Sequence, residues 1–186
     1  MSVITLFTGG VRSGKSAWAE QYAARLGAPV TYLATAAARD DEMQERIARH
    51  QARRPGSWAT IEEPQAIAAT LATFAPESVI LLDCLSLLVS NLLLAHEDDP
   101  EPILEGEINA IITTVQAHEL RLVVVSNEVG MGIVPAYPLG RFYRDLLGWA
   151  NQRIAAAAAE IYFVVCGIVV EVRSLEAAWA RELRQR

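Results

Sequence analysis

Short apolar, mostly β-branched runs alternate with longer amphipathic stretches along the chain. Val3 to Thr8 (Val-Ile-Thr-Leu-Phe-Thr) has the continuous apolar character of a buried first strand. Lys15 to Leu26 follows as a helix, with Trp18, Tyr22 and Leu26 at helical spacing and Gly27 just past its end. Further strands are predicted at Val30–Ala34, Trp58–Glu62, Ser78–Asp83 and Arg121–Asn127. Between them the pattern predicts a charged helix at about Asp41–Arg53 and one opened by Pro64 that runs to about Phe74. An apolar helix at Leu85–Ala95, an amphipathic one at Ile103–Glu119 and a long one at Arg141–Ala159 come next. His96–Pro102 is acidic and proline-bearing, which predicts a surface loop. Ile161–Val172 is one long strand or two short ones broken at Gly167, and Ser174–Arg186 is a charged helix or a frayed tail. Uniformly apolar strands alternating with helices predict an α/β fold, a mostly parallel sheet with helices on both faces. No repeat, linker or low-complexity tract divides the chain, so residues 1–186 are expected to form a single domain.

Composition narrows the class. A chain of 186 residues that is 52% apolar can bury a substantial core. A net charge of −6 argues against a protein that coats nucleic acid. Cys84 and Cys166 lie far apart in apolar runs, without C-x-x-C spacing, and are expected to be buried free thiols in a reducing cytoplasm. The N-terminus lacks a basic start followed by an apolar core, so no signal peptide is expected. Ile154–Val170 is long and apolar, but alanines fill its first half and Glu160 interrupts it. It therefore reads as a helix end followed by a buried strand rather than a membrane span.

The chemistry begins with Lys15. It is the one lysine in a chain with fifteen arginines, and it stands in Gly9-Gly10-Val11-Arg12-Ser13-Gly14-Lys15-Ser16. The run matches G-x-x-x-x-G-K-[ST], the phosphate-binding P-loop. Its glycines let the backbone curl so that successive N–H groups converge on phosphate oxygens. Lys15 reaches the β/γ-phosphates, the Ser16 hydroxyl ligates Mg²⁺, and the following helix points its positive end at the anion. A compact ammonium fits between loop and phosphate where a guanidinium would not. Strand, glycine loop and helix are the setting the motif requires, so a nucleoside triphosphate is the expected ligand.

Val79-Ile-Leu-Leu-Asp83 has the form of a Walker B strand, with a carboxylate at the carboxyl end of a parallel strand, where it can hold Mg²⁺. Two other segments bear on the reaction. In the charged helix, Arg46, His50, Arg53 and Arg54 share one face. Two readings stand there: a solvated surface helix with a bystander histidine, or an imidazole among phosphate-binding arginines that attacks phosphorus. Ser126-Asn127-Glu128-Val-Gly130-Met-Gly132-Ile-Val-Pro135 follows a core strand and reaches the same carboxyl edge.

Taken together, these motifs resemble the bifunctional adenosylcobinamide kinase and adenosylcobinamide-phosphate guanylyltransferase family of cobalamin biosynthesis. The resemblance covers nearly the whole chain. It rests on Thr8–Ser16, Tyr32-Leu-Ala-Thr35, Asp41-Glu-Met43, Arg46-Ile47 with His50, Arg54-Pro55, Leu82-Asp83-Cys84 and Asn91-Leu92. Asn127–Pro135, Arg144-Asp145, Asn151-Gln-Arg153 and Val165-Cys-Gly-Ile168 complete it, and the run 127–135 is much more specific than the P-loop. The resemblance implies two reactions. ATP or GTP phosphorylates the primary hydroxyl of adenosylcobinamide, and GMP from GTP then passes to that phosphate, releasing pyrophosphate and giving adenosylcobinamide-GDP. It implies a covalent guanylyl-histidine at His50, which with Lys15 makes the candidate catalytic pair. The implied nucleotide contacts are Gly9 to Ser16, Thr35, Ala36, Ala37, Gln51, Ala52, Arg53, Arg54, Glu62 and Asp83, with Ser16 and Asp83 as Mg²⁺ ligands. Positions 36–38 are Ala-Ala-Ala where the family often has polar residues, so contacts there would run through the backbone. Glu62 or Asp83 could accept from guanine N1–H and the 2-amino group. The implied fold is a RecA-like P-loop NTPase sheet, assembled as a homotrimer.

Three rivals share the P-loop: a monofunctional small-molecule kinase with His50 inert, a RecA-like nucleic-acid ATPase, and a nucleotide-sensing binding protein. The ATPase would need basic DNA-contacting loops that the acidic chain lacks. Covalent labelling by α-labelled GTP would separate the first from the bifunctional enzyme, and turnover of cobinamide would exclude the third.

Overall fold

The computed structural model describes residues 3–27, 29–36 and 55–184. Its strands are β1 (Val3–Gly9), β2 (Val30–Ala34), β3 (Ala59–Glu62), β4 (Val79–Asp83), β5 (Arg121–Val125), β6 (Glu160–Val165) and β7 (Ile168–Glu171). The helices among the described residues are α1 (Lys15–Arg25), α2 (Ile67–Leu71), α3 (Leu85–Ala95), α4 (Pro100–Ala117), α5 (Pro138–Ala157) and α6 (Ala178–Arg184). The strands form one sheet in the order β3-β2-β4-β5-β1-β6-β7. Every neighbouring pair is parallel except β6–β7, an antiparallel hairpin at one edge.

Alternation along the central strands sends side chains to two cores. Ile4, Leu6, Leu33, Ile80, Leu82, Leu122 and Val124 meet the buried faces of α2, α3, α4 and α5. Phe7, Val30, Tyr32, Val79, Leu81, Val123 and Val125 meet α1. On α1 the contact is made by Ala19 and Ala23, both fully buried, whereas Trp18 is 39% exposed. The predicted Trp18–Tyr22–Leu26 stripe is thus only the flank of the buried face. Small side chains let the helix lie close on the sheet, and this holds its N-terminus beside the end of β1.

Other differences from expectation lie at element ends. The predicted loop 96–102 is shorter, because Pro100 opens α4 and is itself buried. Proline suits the first helical turn, where its missing N–H is not needed. Pro138 opens α5 in the same way, three residues ahead of the predicted Arg141. The helix predicted from Pro64 to Phe74 is confined to α2. Of the two forms expected for Ile161–Val172, the hairpin is the one adopted. Its turn is made by Cys166 (φ 51°) and Gly167 (φ 79°), both in the left-handed region. Cys84 is buried as expected, but Cys166 is exposed, because the turn that needs it projects beyond the sheet. No helix among the described residues is long and apolar enough to cross a membrane. The predicted charged helix at 41–53 lies outside the described residues.

Two outcomes test this packing. Leu82, with no exposed surface, should lose about 2–5 kcal/mol on change to Ala. Leu175→Ala, at a position 71% exposed, should stay within about 0.5 kcal/mol in the same urea titration. Iodoacetamide should label native protein once per chain, at Cys166, and twice after unfolding. Peptide mass mapping that finds native label on Cys84 would contradict the burial described here.

Candidate active site

The site is assembled on the carboxyl edge of the sheet. Strand register places Glu62, Ala34, Asp83, Val125 and Phe7 level with one another across β3, β2, β4, β5 and β1. The chain then leaves each strand just above this row. After β1 it enters the loop Gly9–Ser16, which feeds directly into α1. The sequence motif and the fold therefore coincide, with strand, loop and helix N-terminus in the order that phosphate binding requires.

Gly9 and Gly14 are required by geometry. At Gly9 (φ 155°) a Cβ would collide with the Val164 carbonyl oxygen on β6, and Gly14 (φ 96°) is left-handed. Within the loop the Ser13 N–H donates to Gly10 O at 3.3 Å. Lys15, only 8% exposed, reaches back over the loop, and its Nζ donates to Gly10 O at 3.1 Å. The hydroxyls of Thr8 and Ser13 are buried and have no protein hydrogen-bond partner among the described residues. Buried donors around a glycine loop fit an oxyanion that accepts from them. Val11 and Arg12 are exposed at the loop's outer side.

Asp83 ends β4. Its Oδ2 accepts a 2.7 Å hydrogen bond from the buried Tyr32 hydroxyl on the neighbouring strand. Beside it Thr35 is fully buried and joins the two strand ends. The Thr35 N–H donates to Asp83 O at 3.2 Å. Its hydroxyl lies 2.8 Å from both the N–H and the carbonyl oxygen of Cys84. Asn91 on α3 donates to Thr35 O at 2.9 Å and to Pro64 O at 3.0 Å, which fixes the exits of β2 and β3 together. Ser16 is half-buried in the first turn of α1, and Asp83 stands at the end of β4, two strands away from β1. Among the described residues no group of three or more His, Cys, Asp or Glu could enclose a metal ion. Such a sparse donor set fits Mg²⁺, which keeps waters and takes other oxygens from phosphates.

A second chain of polar groups runs under the end of β5, which lies between the strands carrying the P-loop and Asp83. The Ser126 N–H donates to Phe7 O at 2.9 Å and the Glu128 N–H to Gly9 O at 3.0 Å, so this segment borders the P-loop. The Ser126 hydroxyl bonds Asn151 Oδ1 at 2.6 Å, and Asn151 Nδ2 donates to Asn127 O at 3.0 Å. Asn127 Nδ2 donates to Ser86 Oγ at 2.8 Å, and Tyr143 donates to Ser86 O at 3.1 Å. Burial, together with the charge of Asp83, pushes the Cys84 thiol up to about 11. Burial first and then Cys84 push the Tyr143 hydroxyl up to about 12. Both groups therefore stay neutral at physiological pH.

The sequence named Gly9–Ser16, Thr35, Ala36, Glu62 and Asp83, and the fold brings all of them to one edge. Glu62 is exposed at the end of an edge strand, two strands from Asp83 and four from the P-loop strand. Ala37, His50, Gln51, Ala52, Arg53 and Arg54 lie outside the described residues. Tyr32, Ser86, Asn91, Tyr143 and Asn151 had no role assigned from sequence. The available signal was their type, since a tyrosine or asparagine within an apolar run must find a polar partner when buried.

This geometry agrees with comparisons to known proteins. The family model for cobinamide kinase / cobinamide phosphate guanyltransferase matches residues 5–172. The bifunctional adenosylcobalamin biosynthesis protein CobP of Pseudomonas aeruginosa is 46% identical over 169 residues, covering 90% of this chain and 96% of that protein. CobU of Salmonella typhimurium, with the same description, is 44% identical over 184 residues, covering 92% and 100%. CobU of Escherichia coli is 40% identical over 184 residues at the same coverage. In fold, the RadB recombinase superposes with a TM-score of 0.51 at 13% identity, covering 87% of this chain and 74% of RadB. That likeness places the sheet among RecA-like P-loop folds and speaks to fold alone. On sequence, motif and site geometry together, the chain belongs to the cobinamide kinase / cobinamide phosphate guanyltransferase family.

Proposed function

We propose that the protein phosphorylates the primary hydroxyl of adenosylcobinamide with ATP or GTP, and then transfers GMP from GTP to that phosphate through His50. The products of the second step are adenosylcobinamide-GDP and pyrophosphate. The observation that carries this reading is the pairing, on one sheet edge, of a glycine-walled loop holding buried Lys15 with a strand ending in Asp83. In the kinase step the substrate oxygen attacks the γ-phosphorus and the nucleoside diphosphate leaves. Loop N–H groups and Lys15 stabilise charge on the phosphate oxygens as they separate. Ser16 and Asp83 would hold Mg²⁺, which when bound neutralises phosphate charge.

In the transfer step a neutral His50 nitrogen attacks the α-phosphorus of GTP and expels pyrophosphate. An oxygen of adenosylcobinamide phosphate then attacks the same phosphorus and releases the imidazole. Arg53 and Arg54, close in sequence, would spread the developing charge. Glu62 or Asp83 would select guanine. Tyr32 already occupies one oxygen of Asp83, which favours Glu62 for that role. The same reading includes Thr35, Ala36, Ala37, Gln51 and Ala52 as nucleotide contacts. It describes a cytoplasmic homotrimer acting on small molecules, without nucleic acid or stable membrane insertion.

Lys15→Ala should lower kinase turnover at least about a hundredfold and weaken triphosphate binding, and Lys15→Arg should fare little better. Steady-state kinetics and nucleotide titration with Mg²⁺ present check this, and wild-type rates in either variant would refute the P-loop role. His50→Asn should abolish GMP transfer and covalent labelling by α-labelled GTP, while phosphorylation of adenosylcobinamide stays within a few-fold of wild type. The wild-type adduct should be acid-labile and base-stable, as a phosphorus–nitrogen bond requires. Full labelling of the His50→Asn protein would leave a monofunctional kinase, or another nucleophile, as the better description.

A further inference from the structure

The run Val165-Cys166-Gly167-Ile168 belongs to no catalytic step described above, yet it lies against the P-loop. Both backbone groups of Gly167 are engaged there. Its N–H donates to Ser13 O at 3.0 Å. Its carbonyl accepts from the Trp18 indole Nε1–H at 2.9 Å, across 149 residues of sequence. Ser13 is inside the P-loop, and Trp18 is on α1 one turn beyond Lys15. Gly14 also packs close, since a Cβ there would sit 3.7 Å from the Gly167 Cα. On the near side of the turn, the Val164 carbonyl occupies the space where a side chain at Gly9 would go. The opposite flank is closed by the Glu128 N–H bonded to Gly9 O.

We propose that the β6–β7 turn is a positioning element for the phosphate loop, with Trp18 and Gly167 as its positioning residues. This inference deepens the reading of Gly9–Ser16 as the triphosphate cradle and rests on it. A glycine-rich loop is conformationally free, and binding must order it at an entropic cost. The turn ties the loop at Ser13 and α1 at Trp18 to a single residue, so the spacing between loop and helix N-terminus is set before nucleotide arrives. Among the described residues nothing crowds the turn from outside. Cys166 and Ile168 are exposed, and no heavy atom of the described residues lies within 4 Å of a Cβ built on Gly167. The turn's shape is therefore set by its left-handed backbone, φ 51° at Cys166 and 79° at Gly167, by the Val165–Ile168 strand pairing and by these two hydrogen bonds.

That isolation gives a graded test. Gly167→Asn puts a residue tolerant of left-handed backbone where space is open, whereas Gly167→Val puts there a β-branched residue that is not. Trp18→Phe keeps an aromatic ring and removes the Nε1–H donor together with part of the indole. The full-length proteins are titrated with a non-hydrolysable GTP analogue and Mg²⁺ by calorimetry. Hydrogen exchange is followed at the amides of residues 10–16, and kinase KM and kcat are measured separately.

Gly167→Val should raise Kd and nucleotide KM about tenfold, Trp18→Phe about threefold, and Gly167→Asn less than either. In the first two, exchange of the loop amides should quicken, with kcat at saturation and the KM for the corrinoid within about twofold of wild type. Wild-type affinity and loop exchange in both Gly167→Val and Trp18→Phe, with only the melting temperature lowered, would overturn the proposal. If Gly167→Val does not fold, Trp18→Phe decides alone. Lys15→Ala serves as the separate control. Should it bind the analogue normally, the cradle reading fails. Should it lose binding while the turn variants keep it, only the positioning role fails.

Discussion

The in-register pairing of β1, β5, β4 and β2 is the constraint on which the site depends. A parallel sheet delivers every strand end to one edge, and here the register makes those ends level. Because β5 lies between β1 and β4, the phosphate loop and Asp83 stand two strands apart, with Ser126–Glu128 between them. A slip of one residue in any of these pairings would turn Asp83 or Tyr32 to the opposite face and dissolve the arrangement. The apolar residues alternating between the two cores hold that register, so the site's geometry is set by packing well below it.

Above that packing lies a layer of uncharged polar groups. Thr35, Asn91, Ser86, Asn127, Tyr143 and Asn151 bond chiefly to one another and to backbone groups at the strand exits. Each such bond adds only about 1 kcal/mol net, whereas losing a partner leaves a buried group unsatisfied at higher cost. The layer therefore acts less as a source of stability than as a restriction on how the strand exits can lie. Its neutrality leaves the electrostatics of the edge to the few ionised side chains there and to whatever phosphate they bind.

Much of this was legible in the chain itself. Each buried strand is a short apolar run, and the P-loop announces itself because its residue types have no common alternative use. Helix starts were less legible, since Pro100 and Pro138 can either end a loop or open a helix, and tertiary burial made the choice. Strand order could not be read, because nothing local in Arg121–Val125 says that it slots between β1 and β4. The polar layer was equally hidden. Asn91 and Tyr143 look like ordinary helix residues until their partners, tens of residues away, are brought alongside. Gly167 was visible as a break in a strand and as part of Val165-Cys-Gly-Ile168, while its contacts with Ser13 and Trp18 exist only in three dimensions.

The solitary lysine has a consequence for how the molecule meets a change of solution conditions. Apart from three histidines, every other basic side chain is a guanidinium, which keeps its proton at any pH a folded protein survives. The positive side-chain charge is thus nearly fixed at alkaline pH, and the arginines that carry it do not react with acylating esters directed at amines. Chemistry aimed at side-chain primary amines has a single address on this chain, Lys15 in the candidate phosphate loop. Nucleotide bound there would stand directly between such reagents and their target, so protection of one amine would report occupancy of the site.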